Sequence, residues 1–198
     1  MAVETHIYDN RFFRNTIKLE ASSAFEFTAL VLKYYTPASL VDIGCGAGIY
    51  LKEFNKKGIK NLLGLDGSPA AGEEFLLDKH KLVIFDLAKK YKFKKKYDLA
   101  LCLEVAEHLR EKDADVLIET ITEAADNIIF SAAVPGQGSR SIGHINEQPH
   151  NYWIEKFKNK NFSYLKLRTE KMRAEMKARG VVWWIVNNLM IFELKRTA

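Results

Sequence analysis

The chain has 198 residues, 47% of them hydrophobic and 28% charged, a balance that builds one globular domain and excludes a disordered or fibrous protein. Thirty Lys and Arg against 25 Asp and Glu give a net charge of +5, a mild preference for anionic partners. No apolar run reaches the roughly 18 residues of a membrane span, and two cysteines, Cys45 and Cys102, are too few for a disulfide framework, so a cytoplasmic protein is expected.

Residues 1–16 are polar and aromatic, a lead-in that lacks the apolar core of a secretion signal. Residues 17–35 have helical spacing, with Ile17, Ala21, Ala24, Phe25, Thr28 and Leu32 on one face and Pro37 as the stop. From there strands and helices alternate. Strands are expected at 39–44, 62–67, 81–86, 97–104 and 127–133, and helices at 49–58, from Pro69 to Lys79, and at 114–125. Several strands are apolar throughout, which implies a parallel sheet covered on both faces. The run Lys89, Lys90, Lys92, Lys94, Lys95 and Lys96 reads as a solvated loop or a patch for phosphate. A loop follows at 135–148, then a helix over HNYWIEKFKN, an exposed helix at 166–179, and one or two strands in VVWWIVNNLMIFEL. No linker separates the tail. The expected organisation is a single domain over 1–198: lead-in and helix 1–38, core 39–133, and a substrate-side tail 134–198.

Val41-Asp42-Ile43-Gly44-Cys45-Gly46-Ala47-Gly48 places three glycines between a strand and a helix. Glycine is needed where backbone must turn with positive φ or approach a ligand closely, and a helix start offers free N–H groups to an electronegative one. A dinucleotide fold prefers G-x-G-x-x-G; here the third glycine comes one position early and Ile49 follows. Asp66, followed by Gly67, ends the second strand, where an acid can accept ribose hydroxyls. Asp86 ends the third strand and precedes Leu87.

The D-x-G-x-G-x-G form resembles motif I of the class I S-adenosylmethionine-dependent methyltransferases, and YDLALCLEVAEHL (97–109) resembles their fourth motif. A closer resemblance is to a largely uncharacterised bacterial group of that class, through HIYDNRFF (6–13), SLVDIGCGAGIYL (39–51), LEVAEHL (103–109), FSAAVPGQGS (130–139) and HINEQPHNYW (144–153). The resemblance implies a Rossmann-like α/β fold: a seven-stranded, mostly parallel sheet with helices on both faces, the last two strands coming from the tail. It implies that Asp42, Gly44, Cys45, Gly46, Gly48, Asp66, Gly67, Asp86, Leu87 and Glu104 hold S-adenosylmethionine, with Asp86 at the adenine and Glu104 at the methionine end.

Methyl transfer needs an acceptor held in line with the methyl group, in a site without water. An acceptor with an acidic proton also needs a base or a metal. Glu104, Glu107 and His108 form E-x-x-E-H; on a helix starting near Glu104 they share one face and could meet Mg²⁺ or Mn²⁺. This spacing resembles the metal site of ubiquinone-pathway O-methyltransferases and of small-RNA 2′-O-methyltransferases. Otherwise Glu107 is a surface charge and His108 a base or a cap. His144 is a further ligand or base in the loop. Asn146, Glu147 and Gln148, with Tyr152 beyond them, either bind a polar acceptor or cap their own loop. His6, Tyr8, Phe12 and Phe13 form a lid or pack on the sheet. Trp153 and Phe157 read as core, while Trp183 and Trp184 fall on opposite faces of a strand, one bordering the site.

The reading is a methyltransferase acting on a small polar acceptor, a sugar or metabolite, at oxygen, with His108 and His144 as catalytic candidates and magnesium as an additional cofactor. The alternatives are a magnesium-dependent RNA methyltransferase and a non-catalytic cofactor-binding subunit; oligomeric state stays open.

Overall fold

The computed structural model describes residues 7–138 and 142–195, so His6 of the first motif lies outside the described residues. Helix α1 (Asn10–Tyr34) leads into strand β1 (Ser39–Ile43), α2 (Ile49–Lys56), β2 (Asn61–Asp66), α3 (Pro69–Glu73) and β3 (Leu82–Ile84). Strand β4 (Leu99–Leu103), α4 (Ala114–Ala124) and β5 (Asn127–Ser131) complete the regular alternation. The tail adds α5 (His150–Asn159), β6 (Phe162–Tyr164), α6 (Lys166–Ala178), α7 (Trp183–Asn188) and β7 (Met190–Leu194).

The seven strands form one sheet in the order β3-β2-β1-β4-β5-β7-β6. The first five pair in parallel, β1 with β2 and β4, β2 with β3, and β4 with β5. Strand β7 pairs antiparallel with β5 and with β6, so the expected seven-stranded, mostly parallel sheet is what forms. Chain order reverses direction between β1 and β4, and open α/β sheets bind ligands beyond the carboxyl ends of strands at such a switch.

Successive residues of a strand face opposite ways. On β4, Leu99, Leu101 and Leu103 join one core with α1, α2 and α6, while Ala100 and Cys102 join the other with α4 and α5. Both faces are covered, which is why the strand reads as continuously apolar. In the second core Phe157 stacks on Phe192 at 4.0 Å, and Trp153 is fully buried. No helix among the described residues is long and apolar enough to cross a membrane.

Four elements differ from the sequence expectation, the first being the helix expected from Pro69 to Lys79, which ends at Glu73 as α3. Helix α1 starts at Asn10 because Asp9 caps it, its carboxylate accepting from Phe12 N–H at 2.7 Å. That start takes in much of the expected lead-in. Ala21 and Phe25 face solvent, and Phe27, Leu30 and Val31 fill the core instead. Residues 183–188, expected as strand, are helix α7, which buries Ile185, Val186 and Asn188. Short β6 falls within no expected strand; it pairs only with β7.

Candidate functional site

The loop after β1 is built from backbone. Gly44 and Gly48 have φ of +80° and +75°, where a side chain is strained. A Cβ at Gly44 would lie 2.2 Å from Val105 Cγ2, and one at Gly48 2.5 Å from Phe75 Cε2, so neither position has room for one. Gly44 and Cys45 N–H both donate to Leu65 O, at 2.7 and 3.0 Å, tying the loop to the end of β2. Asp66 finishes the clamp: its carboxylate accepts from Gly46 N–H and Ser68 N–H, each at 2.8 Å.

These residues open on one cavity of about 670 Å³, the size of a small-molecule site. Asp42, Gly44, Cys45, Gly46, Asp66, Gly67, Asp86, Leu87 and Glu104 line it; Gly48 instead starts α2 in left-handed backbone. Asp42 is 2% exposed, and its Oδ2 has no hydrogen-bond partner. Burial, then the charge of Asp66, pushes the Asp42 carboxyl up to about 8. Asp86 is looser, accepting from Ala88 N–H at 3.0 Å. Glu20 also lines the wall, making five carboxyl groups, and no Lys or Arg is among the described lining residues. A bare glycine loop, an orphaned buried carboxylate oxygen and an acid-rich wall fit a nucleoside carrying positive charge.

Glu104 sits beyond β4 with φ of +55°, one of two described non-glycine residues at positive φ. Such strain persists only where surroundings impose it. Its N–H donates to Ser131 O at 3.0 Å, and its two carboxylate oxygens accept from Asn188 Nδ2 at 3.2 and 3.0 Å. Gln137 exchanges amide hydrogen bonds with the same Asn188, at 3.2 and 3.0 Å. Burial lifts the Glu104 carboxyl to about 7. Glu104 is therefore turned toward α7.

The expected helix over 104–108 is a short 3₁₀ turn at Ala106–His108, and Glu107 points inward rather than to solvent. Both Glu107 carboxylate oxygens are buried, with the Glu104 carboxyl and the backbone at Glu107 and Ala133 as their polar neighbours. Burial and the neighbouring Glu104 charge raise its pKa well above the ordinary range. Potential ligand atoms of Glu107, His108 and His144 all lie within 4.8 Å of one another, so His144 takes the place that spacing gave to Glu104. His108 Nδ1 lies 3.1 Å from Gly143 O and 2.7 Å from Tyr8 Oη; a carbonyl only accepts, so Nδ1 carries the proton and Nε2 keeps its lone pair. His144 Nδ1 faces Glu147 Oε1 at 2.8 Å, with the same consequence. One buried carboxylate and two imidazoles with their outer nitrogens anchored fit a divalent cation. Of the Mg²⁺ or Mn²⁺ expected from the spacing, two nitrogen donors suit Mn²⁺ better, and suit Co²⁺ or Zn²⁺ as well.

Of the HINEQ segment, His144 reaches the cavity wall. Asn146, Glu147, Gln148 and Tyr152 are absent from the described cavity wall. Asn146 is 4% exposed and donates through its backbone N–H to Glu107 O at 3.0 Å, as Ile145 does at 2.9 Å. Gln148 donates to Asn146 Oδ1 at 3.0 Å, and Glu147 orients His144. The backbone of Ile145 and Asn146, with the Asn146 side chain donating to Ala106 O at 3.5 Å, holds the turn that carries Glu107 and His108. Tyr152 packs edge-on against Trp153.

Other wall residues were outside the sequence reading or only hinted at in it. Tyr8, Phe12 and Phe13 lie on the cavity, and Trp183 and Trp184 both line it because α7 is a helix. Asn188 and Glu20 carried no motif; chain position alone does not reveal a partner 84 residues away.

The methyltransferase-domain family model matches residues 17–180. No curated protein sequence matches the chain. Among solved structures, a Haloferax volcanii methyltransferase in complex with its Trm112 activator superposes at TM-score 0.69, 14% identity, over 100% of both chains. The plantazolicin methyltransferase BpumL, bound to a pentazolic substrate analogue and S-adenosylhomocysteine, gives 0.60 and 18%, over 96% of this chain and 89% of that one. The magnesium protoporphyrin IX methyltransferase of Synechocystis PCC 6803, with bound S-adenosylmethionine, gives 0.57 and 22%, over 77% and 74%. At these identities the likeness is one of fold.

Proposed function

The chain belongs to the methyltransferase-domain family and is an S-adenosylmethionine-dependent methyltransferase; from that premise we propose that it methylates a hydroxyl on a small acceptor. Within the family we place it with the bacterial group carrying S-A-A-x-P-G-Q-G and H-x-N-E-Q. The carrying observation is that one cavity holds the glycine loop, Asp66 and Glu104 together with the imidazoles of His108 and His144. Residues 39–133 supply the cofactor half; the N-terminal segment and the tail supply the acceptor half.

S-adenosylmethionine, when bound, supplies a methyl carbon whose bond pair returns to sulfur as the new O–CH₃ bond forms, leaving S-adenosylhomocysteine. Asp66 and the glycine loop orient the nucleoside, while Asp42 and Glu104 place acid groups near its positive end. His144, oriented by Glu147, takes the hydroxyl proton at Nε2, and neighbouring apolar side chains exclude water.

The convergence of the buried Glu107 carboxylate with two imidazoles favours a second reading, in which Glu107, His108 and His144 hold a divalent cation that lowers the pKa of the acceptor hydroxyl. An RNA acceptor is disfavoured by a described cavity wall without Lys or Arg. Part of the lysine run is also already paired, Lys90 with Glu119 and Glu123 and Lys96 with Asp126.

Titration calorimetry with S-adenosylhomocysteine, in EDTA and then with Mn²⁺ or Mg²⁺, tests this beside an NADH control. Binding of S-adenosylhomocysteine and no NADH heat is the expected result. Separate heat on adding Mn²⁺ alone supports the cation. Absence of S-adenosylhomocysteine binding in every buffer overturns the assignment of this cavity.

A further inference from the structure

Beyond the cofactor residues, the cavity wall carries a group of large apolar side chains. Phe12, Ile17 and Leu19 come from the first half of α1, Trp183 and Trp184 from the start of α7, and Ile142 from the segment after β5. Leu19 is 63% exposed, Ile142 58% and Trp183 56%, three of the seven strongly exposed large apolar side chains among the described residues. Three elements far apart in sequence thus bring apolar surface to one mouth. Apolar side chains are rarely left open to water together on a monomer unless something covers them.

The polar groups beside this mouth are already engaged. Glu20 accepts from Tyr50 Oη at 3.0 Å and from Trp184 Nε1 at 3.4 Å. Thr16 Oγ1 donates to Phe12 O at 3.1 Å, and Gln137 is bound to Asn188. A sugar entering here would exchange water for groups already bonded to one another, and its hydroxyls would go unpaired. A phosphate or carboxylate would find no Lys or Arg among the described lining residues to pair with. The chain's net charge of +5 is therefore not expressed inside its cavity.

We propose that the acceptor is an uncharged amphiphile: one hydroxyl directed to the His108 and His144 end, and an aliphatic or aromatic body lying against Leu19, Ile142 and Trp183. This rests on the methyltransferase reading of the same cavity, and it replaces the polyol expected from HINEQ with an alcohol whose bulk is apolar. The reaction is unchanged: the hydroxyl oxygen gains the methyl group and loses its proton, and the sulfonium becomes a thioether.

The probes are 1-butanol, 1-hexanol and 1-octanol, with octanoate and methyl glucoside as counter-probes, titrated with and without S-adenosylhomocysteine. Affinity is expected to rise about fourfold per added methylene. Octanoate is expected to bind at least tenfold more weakly than 1-octanol, and methyl glucoside not to compete. Leu19→Ser and Trp183→Ala, both at exposed positions, flatten the chain-length gradient while S-adenosylhomocysteine affinity holds. A flat gradient in the wild type, octanoate as tight as 1-octanol, or competition by methyl glucoside overturns the proposal. Loss of S-adenosylhomocysteine binding alone overturns the cofactor reading instead; the alkanol gradient on the free protein is read independently.

Discussion

Tyr8 and His108 meet across 100 positions of sequence, with the phenol oxygen 2.7 Å from imidazole Nδ1 and the rings edge-to-face at 5.4 Å. Tyr8 O also accepts from Ser68 Oγ at 2.8 Å, so the segment before α1 is fastened both to the β2 end and to the His108 side of the cavity. Tyr8→Phe removes the hydroxyl and keeps the ring. Turnover is expected to fall about tenfold, as for other residues that orient a ligating or catalytic imidazole. S-adenosylhomocysteine affinity, set by the glycine loop, is expected to stay within about threefold. Steady-state kinetics beside calorimetry checks both.

Gly48→Ala meets two obstacles, a φ of +75° and Phe75 at 2.5 Å from the new methyl group. Strain of this kind costs about 1–3 kcal/mol. The melting temperature is expected to drop by several degrees and S-adenosylhomocysteine binding to weaken by more than tenfold. Gly58→Ala is the control for a side chain near backbone at positive φ with nothing within 4 Å, and should lose stability without losing the ligand.

Asn188→Leu is close in size but removes the amide that both Glu104 oxygens and Gln137 use. Leaving a buried carboxylate unpaired costs about 1–3 kcal/mol or more. Destabilisation with weakened cofactor binding is expected from thermal melts and calorimetry. Glu104→Gln should recover part of the lost stability in the double variant, since an amide is cheaper to bury than a charge.

Asp42 sets a pH signature in the ligand-free protein. Its folded pKa of about 8 lies above the ordinary value of 3.8, so between roughly pH 4 and 8 the folded state binds the extra proton and stability falls as pH rises. His108 acts in the other direction: burial lowers it from 6.5 to about 4, so its contribution falls as pH drops through that interval. In Asp42→Asn the first slope disappears. The melting temperature of the variant relative to wild type should climb between pH 5 and about 8, and equal slopes would refute the Asp42 assignment.

Much of the cofactor half was legible because it depends on local chemistry. Three glycines, an acid at each strand end and apolar strands report backbone constraints that neighbouring residues carry themselves. The 3₁₀ turn at Ala106–His108 was less legible, since the E-x-x-E-H spacing suits a helix equally well. Its true partners, Gly143 and His144, arrive by a loop. Helix α7 is hidden in the sequence because Trp, Ile and Val favour strands. The short helix forms because it buries Ile185, Val186 and Asn188, a tertiary reward invisible in the local pattern. The start of α1 was readable after all, in the capping aspartate at position 9.

The position of β7 between β5 and β6 orders events on the ribosome. Synthesis runs from the N-terminus, at about 5–20 residues per second. Until Met190 to Leu194 emerge, β5 keeps an open edge and β6 has no strand to join. Asn188, which holds Glu104, arrives with the same late stretch. A nascent chain can therefore assemble the glycine loop early, yet keeps an open, adhesive edge along β5 until β7 is made. Stalling translation just before that strand should yield chains that bind chaperones and transfer no methyl groups.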